Sequence, residues 1–246
     1  MNQVLDDMIA TGTVRSPAGE SFPHMRGITP AEGKMLARLV RELQPSVSLE
    51  VGLAYGTSAL HICDALAEVG AKKHYIVDPN QSAEWKGIGI ENLRRAGHAD
   101  LVELRELPSH VALPQLLEEG VKLDFCFHDG WHVFDQTLSD FVYIDKMLRV
   151  GGLLAVDDCT WPSMRKFLRY VVTNRRYSVV ECLDSPRSRK DAAIRLLRPL
   201  TQRFSALLSP EIIEPDGLLD LRPGSRCVVM RKEADDNREI TDHRAF

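Results

Sequence analysis

The chain has 246 residues, room for one α/β domain with a full core and at most an appended cap. Hydrophobic residues at 44% and charged residues at 27% describe an ordinary globular composition. The net charge of −4, with a pI near 6.1, leaves no basic excess to offset phosphates, so a nucleic-acid partner is excluded. The cluster Arg187, Arg189, Lys190, Arg195 and Arg198 is the local exception and reads as a solvated face. Five cysteines at 63, 126, 159, 182 and 227 are odd in number and widely spaced, neither a disulfide framework nor a zinc signature. Residues 1–10 carry Asp6 and Asp7 and lack a signal-peptide pattern. No apolar run approaches the roughly 20 residues of a membrane span. A reducing cytoplasm and no membrane partner are the expectation.

Residues 1–28 predict a short helix followed by an arm, punctuated by Pro17, Gly19, Pro23 and Gly27. Thr29-Pro30-Ala31-Glu32 opens a helix, with a capping threonine, proline in the first turn and a glutamate that completes a capping box. Met35, Leu36, Leu39, Val40 and Leu43 continue it at helical spacing, and Pro45 ends it. Strands follow at 47–51, 74–78, 101–104, 123–127, 153–156 and 177–183, alternating with helices at 58–67, 82–96, 109–118, 134–148 and 164–173. Such alternation predicts an α/β fold, a Rossmann-like doubly wound and mostly parallel sheet with helices on both faces. The stretch 185–223 interrupts the pattern and predicts a helical insertion or lid before a last strand at 226–230. The domain proper is expected over 29–232, with a frayed polar tail at 233–246.

Leu49-Glu50-Val51-Gly52-Leu53-Ala54-Tyr55-Gly56-Thr57-Ser58 runs from a strand end through glycines four apart into a helix. Glycine admits positive φ and close backbone approach, and the helix amino terminus suits a carboxylate. In an open α/β sheet this turn faces the ligand crevice. Ala54 stands where a dinucleotide-binding turn needs its second glycine, which argues against a nicotinamide oxidoreductase. Asp78, ending the next strand, is placed to accept hydrogen bonds from two ribose hydroxyls. Tyr55 is placed to cover the ligand.

The chemistry turns on two further segments, Asp124-Phe125-Cys126-Phe127-His128-Asp129-Gly130-Trp131-His132 and Gly151-Gly152-Leu153-Leu154-Ala155-Val156-Asp157-Asp158. Their strands are neighbours in the usual doubly wound order, so Asp129, Asp157 and Asp158 converge at one edge of the crevice. Clustered carboxylates repel unless a hard cation sits among them, and oxygen donors favour Mg²⁺, with Mn²⁺ or Ca²⁺ as alternatives. Each acid alone would be an ordinary helix cap or loop acceptor. His128 lies nearer the strand interior and reads as internally bonded. Trp131 and Trp161 flank the acids and serve either as apolar walls for an acceptor or as core.

Glu50-x-Gly52-x-x-x-Gly56 resembles motif I of the class I S-adenosylmethionine-dependent methyltransferases. Asp129-Gly-Trp-His132, Gly151-Gly152 and Asp157-Asp158 resemble the methyltransferase-24 family, similar to catechol-type and macrocin-type O-methyltransferases, the latter of antibiotic (natural-product) pathways. The resemblance spans about residues 29–180. It implies S-adenosylmethionine as cofactor, held by Glu50, Gly52, Tyr55, Gly56, Ser58, Asp78, Ser109 and Asp129. It further implies Mg²⁺ on Asp129, Asp157 and Asp158, and His132 as general base toward a small-molecule hydroxyl, in a homo-oligomer. A lone histidine at a helix start also reads as a capping or surface residue. Two alternatives stay open: a metal-independent small-molecule methyltransferase, and a non-catalytic S-adenosylmethionine-binding subunit.

Overall fold

The computed structural model describes residues 2–24, 27–183, 216–222 and 224–246. An arm of α1 (Gln3–Thr11), β1 (Thr13–Arg15) and β2 (Ser21–Pro23) leads into α2 (Pro30–Leu43). Then come β3 (Val47–Val51), α3 (Thr57–Glu68), β4 (Lys73–Val77), α4 (Ile88–Arg95), β5 (Val102–Arg105) and α5 (Ser109–Glu118). β6 (Leu123–His128), α6 (Phe134–Met147), β7 (Leu148–Val156), α7 (Pro162–Asn174), β8 (Tyr177–Cys182) and β9 (Val228–Lys232) follow. The central sheet has seven strands in the order β5-β4-β3-β6-β7-β9-β8. β9 runs antiparallel to both its neighbours, and the pairings from β5 to β7 are parallel.

The period-two alternation of the strands divides the core into layers. Phe125, Phe127, Leu153 and Ala155 point to the face covered by Met35, Leu36, Leu39 and Val40 of α2 and Ile62 and Leu66 of α3. Cys126, Leu154 and Val156 point to the opposite face, beneath α5, α6 and α7. Val4, Leu5 and Met8 of α1 join Leu60 of α3 and Leu93 of α4 in a third cluster, which docks the arm on the domain. Complete burial of Phe125 and Phe127 contributes about 1.5–3 kcal/mol for each side chain.

Four expectations need correction or restriction. The helix expected over 82–96 forms only at Ile88–Arg95, because Lys86 and Gly87 adopt left-handed conformations and the preceding chain turns back on the carbonyl of Asn80. The arm contains a small antiparallel hairpin, β1 with β2, that the sequence reading missed. The tail is docked rather than frayed. Asn174 of α7 exchanges hydrogen bonds with the backbone of Arg244, and Phe246 packs on Tyr170 and Phe134. The expected insertion falls mostly outside the described residues, as does the basic cluster 187–198. Its described end is a 3-10 turn, Asp216–Leu219, whose Asp216 carboxylate is held by Arg165 and Arg169. Among the described residues, no helix is long and apolar enough to cross a membrane.

Candidate active site

Sheet register assembles the site. Val77, Val51, His128 and Val156 lie side by side across β4, β3, β6 and β7. The next residue of each strand is therefore Asp78, Gly52, Asp129 and Asp157, a row across the carboxyl edge. Backbone bonds extend the ladder through it: the amide of Gly52 donates to Val77, that of Asp129 to Val51 and that of Asp157 to His128, at 2.8–3.1 Å. In open α/β sheets ligands sit beyond this carboxyl edge of the strands.

The glycine turn is fastened from several sides. Gly52 has φ 91° and lies so close to the Asp129 carbonyl that a Cβ would fall 2.0 Å from that oxygen. The Asp78 carboxylate accepts hydrogen bonds from the amides of Leu53, Ala54 and Asn80 and from Gln81, at 2.8–3.0 Å. Oδ2 takes three of these bonds and Oδ1 one, so Asp78 braces the turn while Oδ1 keeps acceptor capacity. Gln81 also donates to the Ala54 carbonyl at 2.9 Å. Glu50 is fully buried, accepting from the Ser58 hydroxyl and facing His74 Nε2 at 3.2 Å. Glu50 and Ser58 thus brace the junction of β3 with α3. Gly56 caps α3 with no side-chain hydrogen bond, leaving the first-turn amides free of a side-chain cap. Tyr55 packs edge-on against Trp85, ring centroids 5.2 Å apart, and against His24 of the arm. Ser109 starts α5 beyond the sheet-edge strand β5, half-buried.

At the other end of the row, His132 Nε2 lies 3.1 Å from Asp158 Oδ2 and 3.6 Å from Asp129 Oδ1. Donor atoms of Asp129, His132 and Asp158 all lie within 4.8 Å of one another, half-exposed at the crevice. Asp158 reaches this place from a left-handed backbone, φ 51°. Asp157 takes no part in that group. Its buried carboxylate turns inward, with Oδ1 3.6 Å from Arg226 Nε and facing Glu32 of α2. The structure thus gathers Asp129 and Asp158 with His132, while Asp157, next to Asp129 in the row, faces Arg226 and Glu32. His128 is buried and bonded to Asp140 at 3.0 Å, as expected. Trp131 and Trp161, 65% and 57% exposed, are surface residues rather than core.

Burial first, then the charges of Asp157, Asp158, Glu50 and Glu32, push the Asp129 carboxyl well above the usual carboxylate range. Burial pulls the His132 imidazole below its ordinary value, against the opposing pull of Asp158. Burial and the Asp157 charge raise Glu32 to about 8. Arg226 holds its proton more tightly than usual: burial opposes this, and Asp157, Glu32, Asp158 and Asp129 together outweigh it.

Sequence reading missed Glu32 and Arg226. The spacing from Thr29 predicts a capping box for Glu32, yet only half of the box forms. Its amide donates to the Thr29 hydroxyl, while its carboxylate turns into the core. A fully buried acid on a helix cannot be told from a cap by spacing alone. Arg226 lies two residues before β9, whose place in the sheet is not legible from sequence.

The sheet order, with one antiparallel strand beside β7, and the glycine turn beneath an acidic row define the Rossmann-like methyltransferase fold. Residues 49–159 match the family described as a methyltransferase domain. The chain is 30% identical over 150 residues to caffeoyl-CoA O-methyltransferase 1 of Eucalyptus globulus, covering 56% of this chain and 58% of that protein. It is 31% identical over 150 residues to catechol O-methyltransferase of Bos taurus, covering 59% of this chain and 53% of that protein. The chain therefore spans less than two thirds of these relatives. Among solved structures, the O-methyltransferase from Bacillus cereus in complex with SAH superposes with a TM-score of 0.59 at 20% identity, covering 73% of this chain and 83% of that one. The cofactor-bound Rv0187 from MTB gives 0.65 at 16% identity, covering 96% and 92%.

Proposed function

We propose that the protein is an S-adenosylmethionine-dependent O-methyltransferase acting on a small-molecule hydroxyl with the help of a divalent cation. The observation that carries this reading is the convergence of Asp129, His132 and Asp158 one strand from the Gly52–Gly56 turn. The relatives named for caffeoyl-CoA and catechol support the same chemistry.

The residues present fit both groups. Hard carboxylate oxygens beside an imidazole suit Mg²⁺ or Mn²⁺, and Asp157 Oδ1, buried next to them without a hydrogen-bond partner, is a further donor in reserve. Asp129 and Asp158, with Asp157, would hold the cation. The turn at 52–56 and the first-turn amides of α3 would hold the amino-acid end of the cofactor. When bound, S-adenosylmethionine supplies the electrophilic methyl group and the cation polarises the acceptor hydroxyl.

The chain's own residues do the rest. His132, its proton affinity lowered by burial, is neutral near pH 7, and its Nε2 accepts the hydroxyl proton. Asp158, 3.1 Å from that nitrogen, steadies the resulting imidazolium. Trp131 and Trp161 present flat apolar faces that fix an aromatic or sugar acceptor over the acids, and holding two reactants in line is the largest contribution such a site makes.

The test uses S-adenosylmethionine carrying a labelled methyl group and a panel of catechols, hydroxycinnamoyl thioesters and sugars. Transfer to oxygen that EDTA abolishes and Mg²⁺ restores is expected. Transfer indifferent to chelator would favour the metal-independent reading, and cofactor binding with no transfer to any acceptor the non-catalytic one.

A further inference from the structure

Beneath the catalytic row lies a group that the proposed reaction does not use. Glu32, at 0% exposure, presents two carboxylate oxygens without hydrogen-bond partners. Beside it, Asp157 Oδ1 and Arg226 Nε are likewise buried and without hydrogen-bond partners. Arg226 Nε lies 3.2 Å from Glu32 Oε2 and 3.6 Å from Asp157 Oδ1, at ion-pair distance but without hydrogen-bond alignment. Buried polar atoms are rarely left so, because each forfeits its hydration without replacement. Glu32 and Asp157 also face each other, so the two acids and one guanidinium form a single buried group in which a change of partner at one acid is felt by the others.

The backbone ties Arg226 to the acids it faces. Its carbonyl accepts from the amide of Cys159, at 2.8 Å, directly after the Asp157-Asp158 pair. The loop that carries the acids, after β7, and the residue that faces them, just before β9, are therefore tied together by a backbone bond.

We propose that Arg226 is the resident counter-ion of Asp157: it holds that carboxylate outside the Asp129–His132–Asp158 cluster, and a divalent cation competes with it for Asp157. The inference rests on the cation reading above. Arg226 is thus a positioning residue, acting through Asp157. A charge moved out of water needs a partner, and the guanidinium supplies one when no cation is present. The same positive charge opposes a cation placed among the acids. Cation binding is then an exchange of partners at Asp157, in which Arg226 remains with Glu32.

The test is Mn²⁺ affinity, read by electron paramagnetic resonance on the full chain, with S-adenosylhomocysteine binding as the check of folding. Arg226→Met is expected to bind Mn²⁺ about tenfold tighter or more, and Arg226→Lys, which keeps the charge, to stay near the unsubstituted protein. In the unsubstituted protein, the Nε–H resonance of Arg226 in a ¹⁵N-arginine spectrum is expected to move during Mg²⁺ titration. The Arg226→Lys spectrum identifies that resonance by its loss. Unchanged or weaker Mn²⁺ binding by a folded Arg226→Met overturns the counter-ion role while leaving the cation reading intact, and so does an Nε–H signal that ignores a cation that binds. Absence of Mn²⁺ binding in every variant, the unsubstituted protein included, overturns both.

Discussion

Asp158 carries its carboxylate to His132 from a left-handed backbone, a conformation that aspartate tolerates better than most residues. In the proposed reaction the imidazole it meets takes the hydroxyl proton. On any acceptor that is methylated, His132→Ala is expected to lower kcat about 100-fold or more while leaving S-adenosylhomocysteine affinity unchanged, as loss of a general base does. Rates and calorimetry on the same preparation separate the two effects. Glu32 allows a second measurement, on chelator-treated protein. Its folded pKa is raised from 4.5 to about 8. The unfolded chain therefore releases that proton first, and the stability present at acid pH is lost as pH climbs from 4.5 toward 8. Urea unfolding across that range shows the decline, and Glu32→Gln is expected to flatten it.

Among the elements, the turn after β3 has the least freedom. Gly52→Ala adds a Cβ 2.0 Å from the Asp129 carbonyl on a backbone at φ 91°. The expected cost is about 3 kcal/mol or more, with loss of S-adenosylhomocysteine binding, checked by thermal unfolding and calorimetry. Elements were also where the sequence was most readable. Phe125 and Phe127 against Cys126 announce a strand buried on both faces, and Gly52 with Gly56 announces the turn. Local pattern sufficed because each signal is carried by adjacent residues. The hairpin of the arm was hidden because its strands are three residues each, too short for a period to register. The inward turn of Asp157 was hidden for a different reason. It depends on Glu32 and Arg226, which lie 125 residues before it and 69 after, and nothing local to Asp157-Asp158 distinguishes the two carboxylates.

On the scale of the whole molecule, both chain ends are fastened to the domain. Deleting residues 243–246 removes the Arg244 bonds to Asn174 and the packing of Phe246 on Tyr170. A loss of about 1–3 kcal/mol, seen as a lowered Tm, is expected, with methyl transfer retained well below the new midpoint. At the other end, the arm meets the start of α3, just after the glycine turn, through His24, whose Nε2 is 3.0 Å from the Thr57 hydroxyl.

The place of β9 has a consequence for how the protein is made. It lies between β7 and β8, so β8 has no partner in the sheet until residues 228–232 have been synthesised. A nascent chain that has emerged only as far as β8 exposes the bare edge of β7, with Asp157 still lacking Arg226. During that interval on the ribosome it is open to pairing with another chain's edge. Translation pauses within that window should therefore raise the aggregated fraction more than pauses placed after residue 232.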